Sequence, residues 1–397
     1  MQQSTDILIS GGGAAGLAAA ATFGTLGFDV IVVDPAPPVT DATAPGADLR
    51  TTAILQPGAD VLRAAGLWEA LAPHATPLEI MRIVDASQSP PVSRDFVASD
   101  IVDGPWGWNV PNVALRRALV DRLEALGSVD FRTGTGFASM VARLDTALVR
   151  LTDGTTVSAR LVIGADGRDS PVRTAAGIEA DTRRYGQRAM VFAVTHEGPH
   201  NGISTEIHRD GGPFTLVPLP DHDGRPCSSV VWMDDGPSIA RRAAMDEAAF
   251  AAEVNDRSAG VMGPLVPTGP RAVWPIVTRT ARRVTARRTA LIAEAAHVMP
   301  PIGAQGLNTS LKDLATLSTL AEQHRDRLGE PPMLDAYARA RHGDVAIRSL
   351  GIDLLNRASK AGHGPLQDLR ALGLRVLHDA APLRRKLMRL GSGIDPR

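Results

Sequence analysis

The sequence predicts a mixed α/β protein in which an α/β domain is interrupted by an α+β domain with an antiparallel sheet and is followed by C-terminal helices. A short apolar run at residues 6–10, bounded by polar residues and glycines, is typical of a strand buried on both faces, and an alanine-rich helical stretch follows at 14–26. Alternating apolar and polar residues between 189 and 232 indicate antiparallel strands. Helical spacing after residue 308 predicts the C-terminal helices.

The first strand leads directly into Gly11-x-Gly13-x-x-Gly16, with Ala15 inside the same turn. In this pattern the glycines permit a tight turn, close approach to a pyrophosphate and close packing of the following helix. A second apolar strand at 30–33 is closed by Asp34, where a carboxylate accepts hydrogen bonds from an adenosine ribose. Together these features predict a dinucleotide site. Asp34 in place of an arginine indicates a ligand with a free ribose hydroxyl, which FAD and NAD both have.

A second corner of strand, turn and helix follows near residue 300. An apolar strand at 289–292 leads to an acidic residue, a Pro-Pro pair stops it, and a glycine-bearing turn precedes a helix that is predicted to open at Asn308. Backbone N–H groups in such a turn approach a flat ligand closely, and the helix dipole favours an electron-rich edge, such as the pyrimidine side of a reduced flavin. The alternative is an ordinary turn that connects strand and helix and binds no ligand. The predicted contacts are Glu294, Pro301, Gly303, Gly306, Leu307 and Asn308.

Three motifs taken together resemble a known family. They are the glycine turn at 11–16, the segment Gly-Ala-Asp-Gly-Arg-Asp-Ser that begins at Gly164, and Pro-Pro-Ile-Gly-Ala-Gln-Gly-Leu-Asn, which begins at Pro300. The combination resembles the signature of the flavin-dependent aromatic hydroxylases related to p-hydroxybenzoate hydroxylase, and in particular that of the ubiquinone-biosynthesis hydroxylases. Further similarity at 212–220, 230–232 and 351–357 extends the resemblance over essentially the whole chain.

The resemblance implies a Rossmann-like FAD-binding domain, an inserted substrate domain with an antiparallel sheet, and a C-terminal helical region. It also implies FAD as cofactor, NAD(P)H as electron donor, dioxygen, and a small aromatic substrate that carries a polyprenyl chain; no metal site is expected. The domain boundaries are predicted at 1–76, 103–180 and 275–330 for the FAD-binding domain, at 77–102 and 181–274 for the substrate domain, and at 331–397 for the helical region.

Individual residues acquire expected roles from the same resemblance. Arg50 is expected on the FAD pyrophosphate, and Asn112 and Arg116 on the flavin side, with a solvated arginine as the alternative for each arginine. Asp166 is expected near both the FAD pyrophosphate and the route of the nicotinamide donor, or alternatively as a cap of the next helix. The residues expected to line the substrate pocket are Phe214, Pro218, Leu219, Trp232 and Pro301.

The chain departs from the family pattern at Ala293-Glu294, where the family usually has glycine and aspartate. Alanine lacks the conformational freedom of glycine, and glutamate is one methylene longer, although it still accepts hydrogen bonds from hydroxyl groups. His297 is interpreted as structural, and no catalytic base is identified. Because a reduced flavin supplies the activated oxygen in this family, the protein side chains are expected to hold the cofactor, orient the ring and exclude water.

The function expected from these features is hydroxylation of the aromatic ring of a polyprenylated phenol in ubiquinone biosynthesis. Three alternatives remain open. The first is hydroxylation of another small aromatic, and the second is reduction of isoprenoid double bonds by an enzyme of the same fold. The third, motivated by Ala293-Glu294, is a flavin-free scaffold of a biosynthetic complex.

Composition argues against several other classes. The formal net charge is -1 over 397 residues, which does not indicate a nucleic-acid partner, and the single Cys227 excludes internal disulfides and cysteine-based metal sites. No signal peptide or long apolar segment is evident, so a cytoplasmic location is expected, with peripheral contact at the inner face of the cytoplasmic membrane, a biosynthetic complex and a homodimer left open. Leucines at helical spacing between 366 and 377, with a basic cluster at 384–389, predict either a docked helix or a membrane-surface contact.

Overall fold

The computed structural model describes residues 3–87, 90–209, 211–359 and 380–394, with side chains described up to residue 345 and again from 380. The side chains of the family-like segment at 351–357 and the leucines between 366 and 377 therefore lie outside the described part. The strands are β1 (Gln3–Ser10), β2 (Val30–Asp34), β3 (Thr51–Leu55), β4 (Thr76–Leu78), β5 (Ile80–Asp85), β6 (Val92–Val97), β7 (Gly107–Pro111), β8 (Val129–Thr133), β9 (Phe137–Ala142), β10 (Ala147–Leu151), β11 (Thr156–Gly164), β12 (Ala180–Thr195), β13 (Ile203–His208), β14 (Phe214–His222), β15 (Arg225–Asp235), β16 (Val266–Ala281), β17 (Thr285–Ala286), β18 (Thr289–Leu291) and β19 (His297–Val298). The α-helices are α1 (Ala14–Thr25), α2 (Gln56–Ala64), α3 (Trp68–Leu71), α4 (Asn112–Glu124), α5 (Pro171–Ala175), α6 (Gly236–Ala243), α7 (Glu247–Arg257), α8 (Ala293–Ala296), α9 (Gln305–Gln323), α10 (Pro331–Ser359) and α11 (Ala381–Ser392).

The first sheet has a parallel centre in the order β18-β11-β1-β2-β8, with β17 and the hairpin β9–β10 added antiparallel. Side chains of β1 alternate between two cores. Ile7 and Ile9 face the helices α1, α4 and α9, whereas Leu8 faces the side that carries the β9–β10 hairpin. The first strand is therefore buried on both faces, as its unbroken apolar run predicted.

The second sheet has the order β19-β16-β12-β15-β14-β13-β5-β6 and is antiparallel except between β13 and β5. Helices α6 and α7 cover one face through Ile239, Phe250 and Val254. Strand β16 stays in this sheet up to Ala281 and so crosses the boundary predicted at 275. A small third sheet, β3-β7-β4, lies beside these two. The mixed α/β class, with a parallel sheet and a mostly antiparallel one, is confirmed.

Cys227 lies in β15 and is buried. Burial raises the pKa of its thiol to about 11, so the sulfur stays protonated near neutral pH. Cys227 is therefore a packed cysteine and not a reactive thiol.

Candidate active site

The sequence motifs lie at the carboxyl ends of four adjacent strands, β18, β11, β1 and β2. Ser10 at the end of β1 is in register with Gly164 of β11 and with Val33 of β2, and Gly164 is in register with Leu291 of β18. The segments that follow these strands therefore share one edge of the sheet. Ligands of open parallel sheets bind at that edge. The structure thus brings together the glycine turn, Asp34, Asp166 and Glu294.

The glycine turn combines close packing on one side with open space on the other. Gly11 has a φ of +114°, and a Cβ there would lie 2.3 Å from the carbonyl oxygen of Ala165. A Cβ on Gly16 would lie 1.9 Å from the carbonyl oxygen of Gly11. Gly13, the N-cap of α1, has nothing within 4 Å of such an atom, and no side chain caps the helix. The first N–H groups of α1, where Ala15 lies, are therefore left for an anionic ligand such as a pyrophosphate.

Two carboxylates flank this turn. One oxygen of Asp34 accepts the Gly12 N–H at 2.6 Å and the other accepts the Ala36 N–H at 2.9 Å. Oδ2 of Asp166 accepts from the Ser10 hydroxyl and from the Val172 N–H, both at 3.1 Å. Oδ1 of Asp166 is buried without a hydrogen-bond partner among the described residues.

The environment of Asp166 fits a ligand that donates hydrogen bonds. Burial raises the pKa of this carboxyl, while its hydrogen bonds act in the opposite direction. A buried acceptor without a donor is costly, and a hydroxyl of a ribose or ribityl chain would remove that cost. The other oxygen of Asp166 accepts the Val172 N–H in the first turn of α5, although the N-cap residue of that helix is Ser170 and not Asp166.

The departure from the family pattern at Ala293 places an alanine where the backbone takes a left-handed conformation. Ala293 has a φ of +55°, a region that favours glycine, and its N–H donates to Asp313 at 3.2 Å. The Glu294 side chain is half-exposed and lies 3.5 Å from the Arg168 guanidinium. Arg173 joins the two loops, because its guanidinium donates to the carbonyl oxygens of Ala295 and Arg168 at 2.9 and 2.8 Å.

We expect Ala293→Gly to stabilise the protein. The left-handed conformation costs alanine about 1–2 kcal/mol, and the greater chain entropy of unfolded glycine offsets roughly 0.5–1 kcal/mol of that, so a gain of up to about 1.5 kcal/mol should appear in urea unfolding. Ala295→Gly is the matched control in the same turn, since Ala295 has no positive φ, and it should lose stability. Equal losses for both variants would contradict the strain at Ala293.

The turn before α9 presents exposed backbone. Helix α9 begins at Gln305, earlier than the predicted Asn308, because Gly303 and Ala304 take φ values of +63° and +57° and bring the chain into the helix sooner. Pro301, Gly303 and Gly306 are exposed. A Cβ on Gly306 would meet nothing within 4 Å. The first N–H groups of α9, including that of Leu307, can therefore face the edge of a flat ligand.

The side chain of Asn308 uses its hydrogen-bonding groups on the backbone of β3 and of the turn before α9. Its amide oxygen accepts the Leu55 N–H at 2.8 Å, and its amide nitrogen donates to the carbonyl oxygens of Ala53 and Ala304, each at 2.7 Å. The side chain thus fastens α9 to β3. A cofactor contact at this position would therefore come from the backbone of Asn308, and it stays a prediction.

Arg50, Asn112 and Arg116 meet at a residue that the sequence analysis missed, Asp48. The Arg50 guanidinium donates two hydrogen bonds of 2.7 Å to Asp48, the Asn112 amide donates one of 2.9 Å, and Arg116 lies 3.7 Å away. Burial alone would raise the pKa of the Asp48 carboxyl, but these hydrogen bonds and the charge of Arg50 together lower it. In the sequence, the spacing Asp-x-Arg at residues 48–50 is the signal that could have identified Asp48 as the partner of Arg50.

Arg50 also connects the segment before β3 with the second sheet. Its guanidinium stacks over the Trp274 ring of β16 at 4.4 Å from the centroid. Asp48 occupies Nε and one N–H of Nη2, so Nη1 remains to donate to a pyrophosphate.

The expected pocket residues Phe214 and Trp232 point the other way. Both are buried, with ring centroids 5.3 Å apart, in the core between the second sheet and helices α6 and α7. Pro218 lies on the same face by strand alternation, and its carbonyl accepts from the Asn109 amide at 2.8 Å; only Leu219 alternates to the opposite face. This corrects the predicted pocket lining for Phe214, Trp232 and Pro218.

The opposite face of the second sheet is the one that meets the turn near 300. Ala189, Met233 and Ile276 are buried there, and Ile302 of the turn packs against them. These residues were not predicted from the sequence, because the large aromatic residues of the same strands are the more prominent candidates for a pocket. The period of two along β15 places Met233 on the face that Trp232 does not occupy.

Below the corner at 293–297 lies a buried charged group. Asp313 accepts from His297 at 2.6 Å and from the Arg341 guanidinium at 2.7 Å. All three side chains are almost fully buried. His297 thus joins a structural network.

Comparison with known proteins agrees with this geometry. A family model described as an FAD binding domain matches residues 4–347. The ubiquinone hydroxylase UbiL of Rhodospirillum rubrum is 34% identical over 98% of this chain and 89% of its own length. The 3-demethoxyubiquinol 3-hydroxylase of Escherichia coli is 28% identical over 99% of each chain.

Solved structures agree on the fold. PqsL of Pseudomonas aeruginosa aligns with a TM-score of 0.77 at 22% identity, covering 94% of this chain and 99% of its own. The p-nitrophenol 4-monooxygenase PnpA of Pseudomonas putida aligns with a TM-score of 0.80 at 17% identity, covering 99% and 100%. The chain therefore belongs to the FAD-binding family of p-hydroxybenzoate hydroxylase-like, flavin-dependent aromatic hydroxylases, as its three motifs predicted.

Proposed function

We propose that this chain hydroxylates the aromatic ring of a polyprenylated phenol in ubiquinone biosynthesis, with FAD as cofactor and with NAD(P)H and dioxygen as co-substrates. The observation that carries the proposal is the convergence of the glycine turn, Asp34, Asp166 and Glu294 on one sheet edge, opposite the apolar face of the second sheet. Relatives named ubiquinone hydroxylase and 3-demethoxyubiquinol 3-hydroxylase support the choice of substrate class.

In this proposal the residues of the chain bind FAD, orient the aromatic ring of the substrate and exclude water from it. FAD, when bound, supplies the activation of oxygen that a closed-shell aromatic ring requires. The open N-terminus of α1 and Nη1 of Arg50 would hold the pyrophosphate, and the free oxygen of Asp166 would accept a hydroxyl. The exposed N–H groups at the start of α9 would face the electron-rich edge of the ring system. Met233 and Ile276 give the opposite wall an apolar surface that excludes water from the substrate side.

The experiment is a turnover assay with the FAD-loaded protein, a polyprenylphenol, NAD(P)H and dioxygen. A product heavier by one oxygen atom supports the proposal. A product heavier by two hydrogen atoms supports reduction of an isoprenoid double bond instead, and protein without the visible absorption of bound flavin supports a scaffold. In cells, deletion of the gene should cause accumulation of the unhydroxylated quinone precursor, identified by mass spectrometry.

Helix α11 favours a peripheral membrane contact that would suit a polyprenyl chain. It is docked, because the Gln305 amide donates to the Gly391 carbonyl at 3.0 Å and Arg384 pairs with Asp100 at 3.0 Å. Leu383, Leu387 and Leu390 on one of its faces remain 41%, 43% and 58% exposed. Exposed Arg385 and Lys386 lie on the same helix, as is typical of helices on anionic lipid. Within the described ranges, none of the helices has the length and apolarity needed to cross a bilayer.

We expect the triple replacement of Leu383, Leu387 and Leu390 by glutamine to lower the affinity for vesicles of phosphatidylcholine and phosphatidylglycerol at least about tenfold, because three leucine side chains no longer enter the lipid. Vesicle sedimentation measures this affinity. Val141→Gln with Leu144→Gln is the control, since these side chains are 64% and 76% exposed on the β9–β10 hairpin. Unchanged vesicle binding by the triple variant would contradict the membrane contact. If the triple variant instead changes the mass in solution, the leucines belong to a homodimer or a complex with other biosynthetic proteins.

A further inference from the structure

We propose that a cavity of about 650 Å³ beside the active site binds the diphosphate part of the nicotinamide donor, and that Arg184 and Arg188 are its main anion-binding residues. The cavity lies between the loop at Arg168 and Asp169, strand β12, the start of α6 and strand β16. The inference rests on the proposed use of NAD(P)H and adds the residues that hold it.

The cavity carries excess positive charge. Arg168, Arg184, Arg188 and Arg279 line it, against a single carboxylate, Asp169. Arg168 is paired with Glu294 at 3.5 Å and Arg279 with Asp169 at 2.5 Å. Among the residues that the structure describes, neither Arg184 nor Arg188 has an acidic partner, and Nε of Arg279 is buried without a hydrogen-bond partner.

The backbone of β12 explains why both arginines reach the cavity. The pairing of β12 with β16 shifts register between Arg184 and Arg188, and Gly186 within this bulge has a φ of +71°. Residues four apart in a strand lie on the same face of a sheet, and the two extra residues that β12 has in this bulge leave that relation unchanged. Two arginines four residues apart therefore line one cavity without a compensating acid. Guanidinium groups in such a pair match the oxygens of a diphosphate.

The remaining wall connects the cavity to the flavin-binding corner. Ile276, Val277 and Val298 line it as apolar residues. Ile276 packs with Ile302 in the turn before α9, and Val298 lies in β19, just before Pro300. A donor with its phosphates on the arginines can thus direct a planar, apolar ring toward the turn. The volume lies within the usual range of about 300–1,000 Å³ for small-molecule sites.

The test uses ADP-ribose and 2′-phospho-ADP-ribose, which carry the phosphates of NADH and NADPH without the reactive ring. Their binding to the FAD-loaded protein is measured by calorimetry at low and high salt. Neutralising both arginines, Arg184→Gln with Arg188→Gln, should raise both dissociation constants about 10- to 100-fold and weaken their salt dependence. The KM for NAD(P)H should rise similarly, while FAD content and flavin reduction by dithionite stay unchanged.

Arg150→Gln is the matched control, because Arg150 is an exposed arginine of β10 that does not line the cavity. Wild-type affinity for both probes in the double variant would overturn the inference. So would a loss of FAD, or a rise in the KM of the phenol alone, since either would assign the cavity to another ligand. If the wild type binds ADP-ribose through these arginines but hydroxylates no polyprenylphenol, the inference stands and the proposed substrate falls.

Discussion

Replacement of Gly13 by alanine is expected to leave the apoprotein folded and to remove most of its FAD affinity. A Cβ at this position meets no protein atom within 4 Å, so the stability of the apoprotein should change by less than about 0.5 kcal/mol. The same methyl group would stand where the pyrophosphate approaches the start of α1. Overpacking of this kind costs about 1–3 kcal/mol, which raises the dissociation constant for FAD roughly 5- to 150-fold.

Gly11→Ala is the contrasting variant. Its Cβ would lie 2.3 Å from the carbonyl oxygen of Ala165, and the φ of +114° disfavours any side chain. Backbone strain and overpacking together should cost about 2–6 kcal/mol in the apoprotein. Urea unfolding of both apoproteins and fluorescence titration with FAD separate the two effects. An unstable Gly13→Ala apoprotein, or one with wild-type FAD affinity, would contradict the open approach at this turn.

The second large effect is expected for Asp313→Asn. The change removes the only carboxylate that contacts both His297 and the buried Arg341 among the described residues, and leaves a guanidinium in the core without its closest counter-charge. Loss of one partner of a buried pair typically costs about 3–5 kcal/mol. The free energy of unfolding from urea titration provides the measurement, and a cost below about 1 kcal/mol would contradict the network as drawn. Asp130→Asn, in an exposed pair with Arg132, is the control and should have little effect.

The same network predicts a dependence of stability on acid. Burial opposes ionisation of Asp313, but the charges of His297 and Arg341 and their hydrogen bonds lower the pKa of this carboxyl below its usual value of 3.8. A lowered pKa in the folded state stabilises the protein above the unfolded value, and this contribution disappears as the pH falls through the folded pKa. Below about pH 4, the wild type should therefore lose stability more steeply than Asp313→Asn. If the unfolding free energies of the wild type and Asp313→Asn fall equally with pH in this range, the result would contradict the contribution of the Asp313 carboxylate.

The sequence was sufficient where a feature depends on local chemistry. The buried strand before Gly11, the carboxylate at Asp34 and the strand before Glu294 follow from runs of a few residues, and the structure places them on one sheet edge. The start of α9 was missed because Ala304 takes a left-handed conformation that alanine rarely adopts.

Features that depend on distant partners could not be obtained in this way. The face on which Phe214 and Trp232 lie is decided by α6 and α7, which follow later in the chain. The role of Asp48 depends on Asn112, which a long insertion separates from it. The cavity with Arg184 and Arg188 is enclosed by the loop at Arg168, the start of α6 and strand β16, which come from separate parts of the chain.

The stacking of Arg50 on Trp274 supplies an optical reporter. An indole with a guanidinium 4.4 Å from its centroid emits differently from one in a purely apolar setting, and this pair joins the segment before β3 to β16 of the second sheet. The chain has five tryptophans, so the difference in emission between the wild type and Trp274→Phe isolates this signal. Any ligand that separates this segment from β16, or draws Arg50 toward a phosphate, should change that difference spectrum, so rapid-mixing fluorescence can follow ligand binding at Arg50.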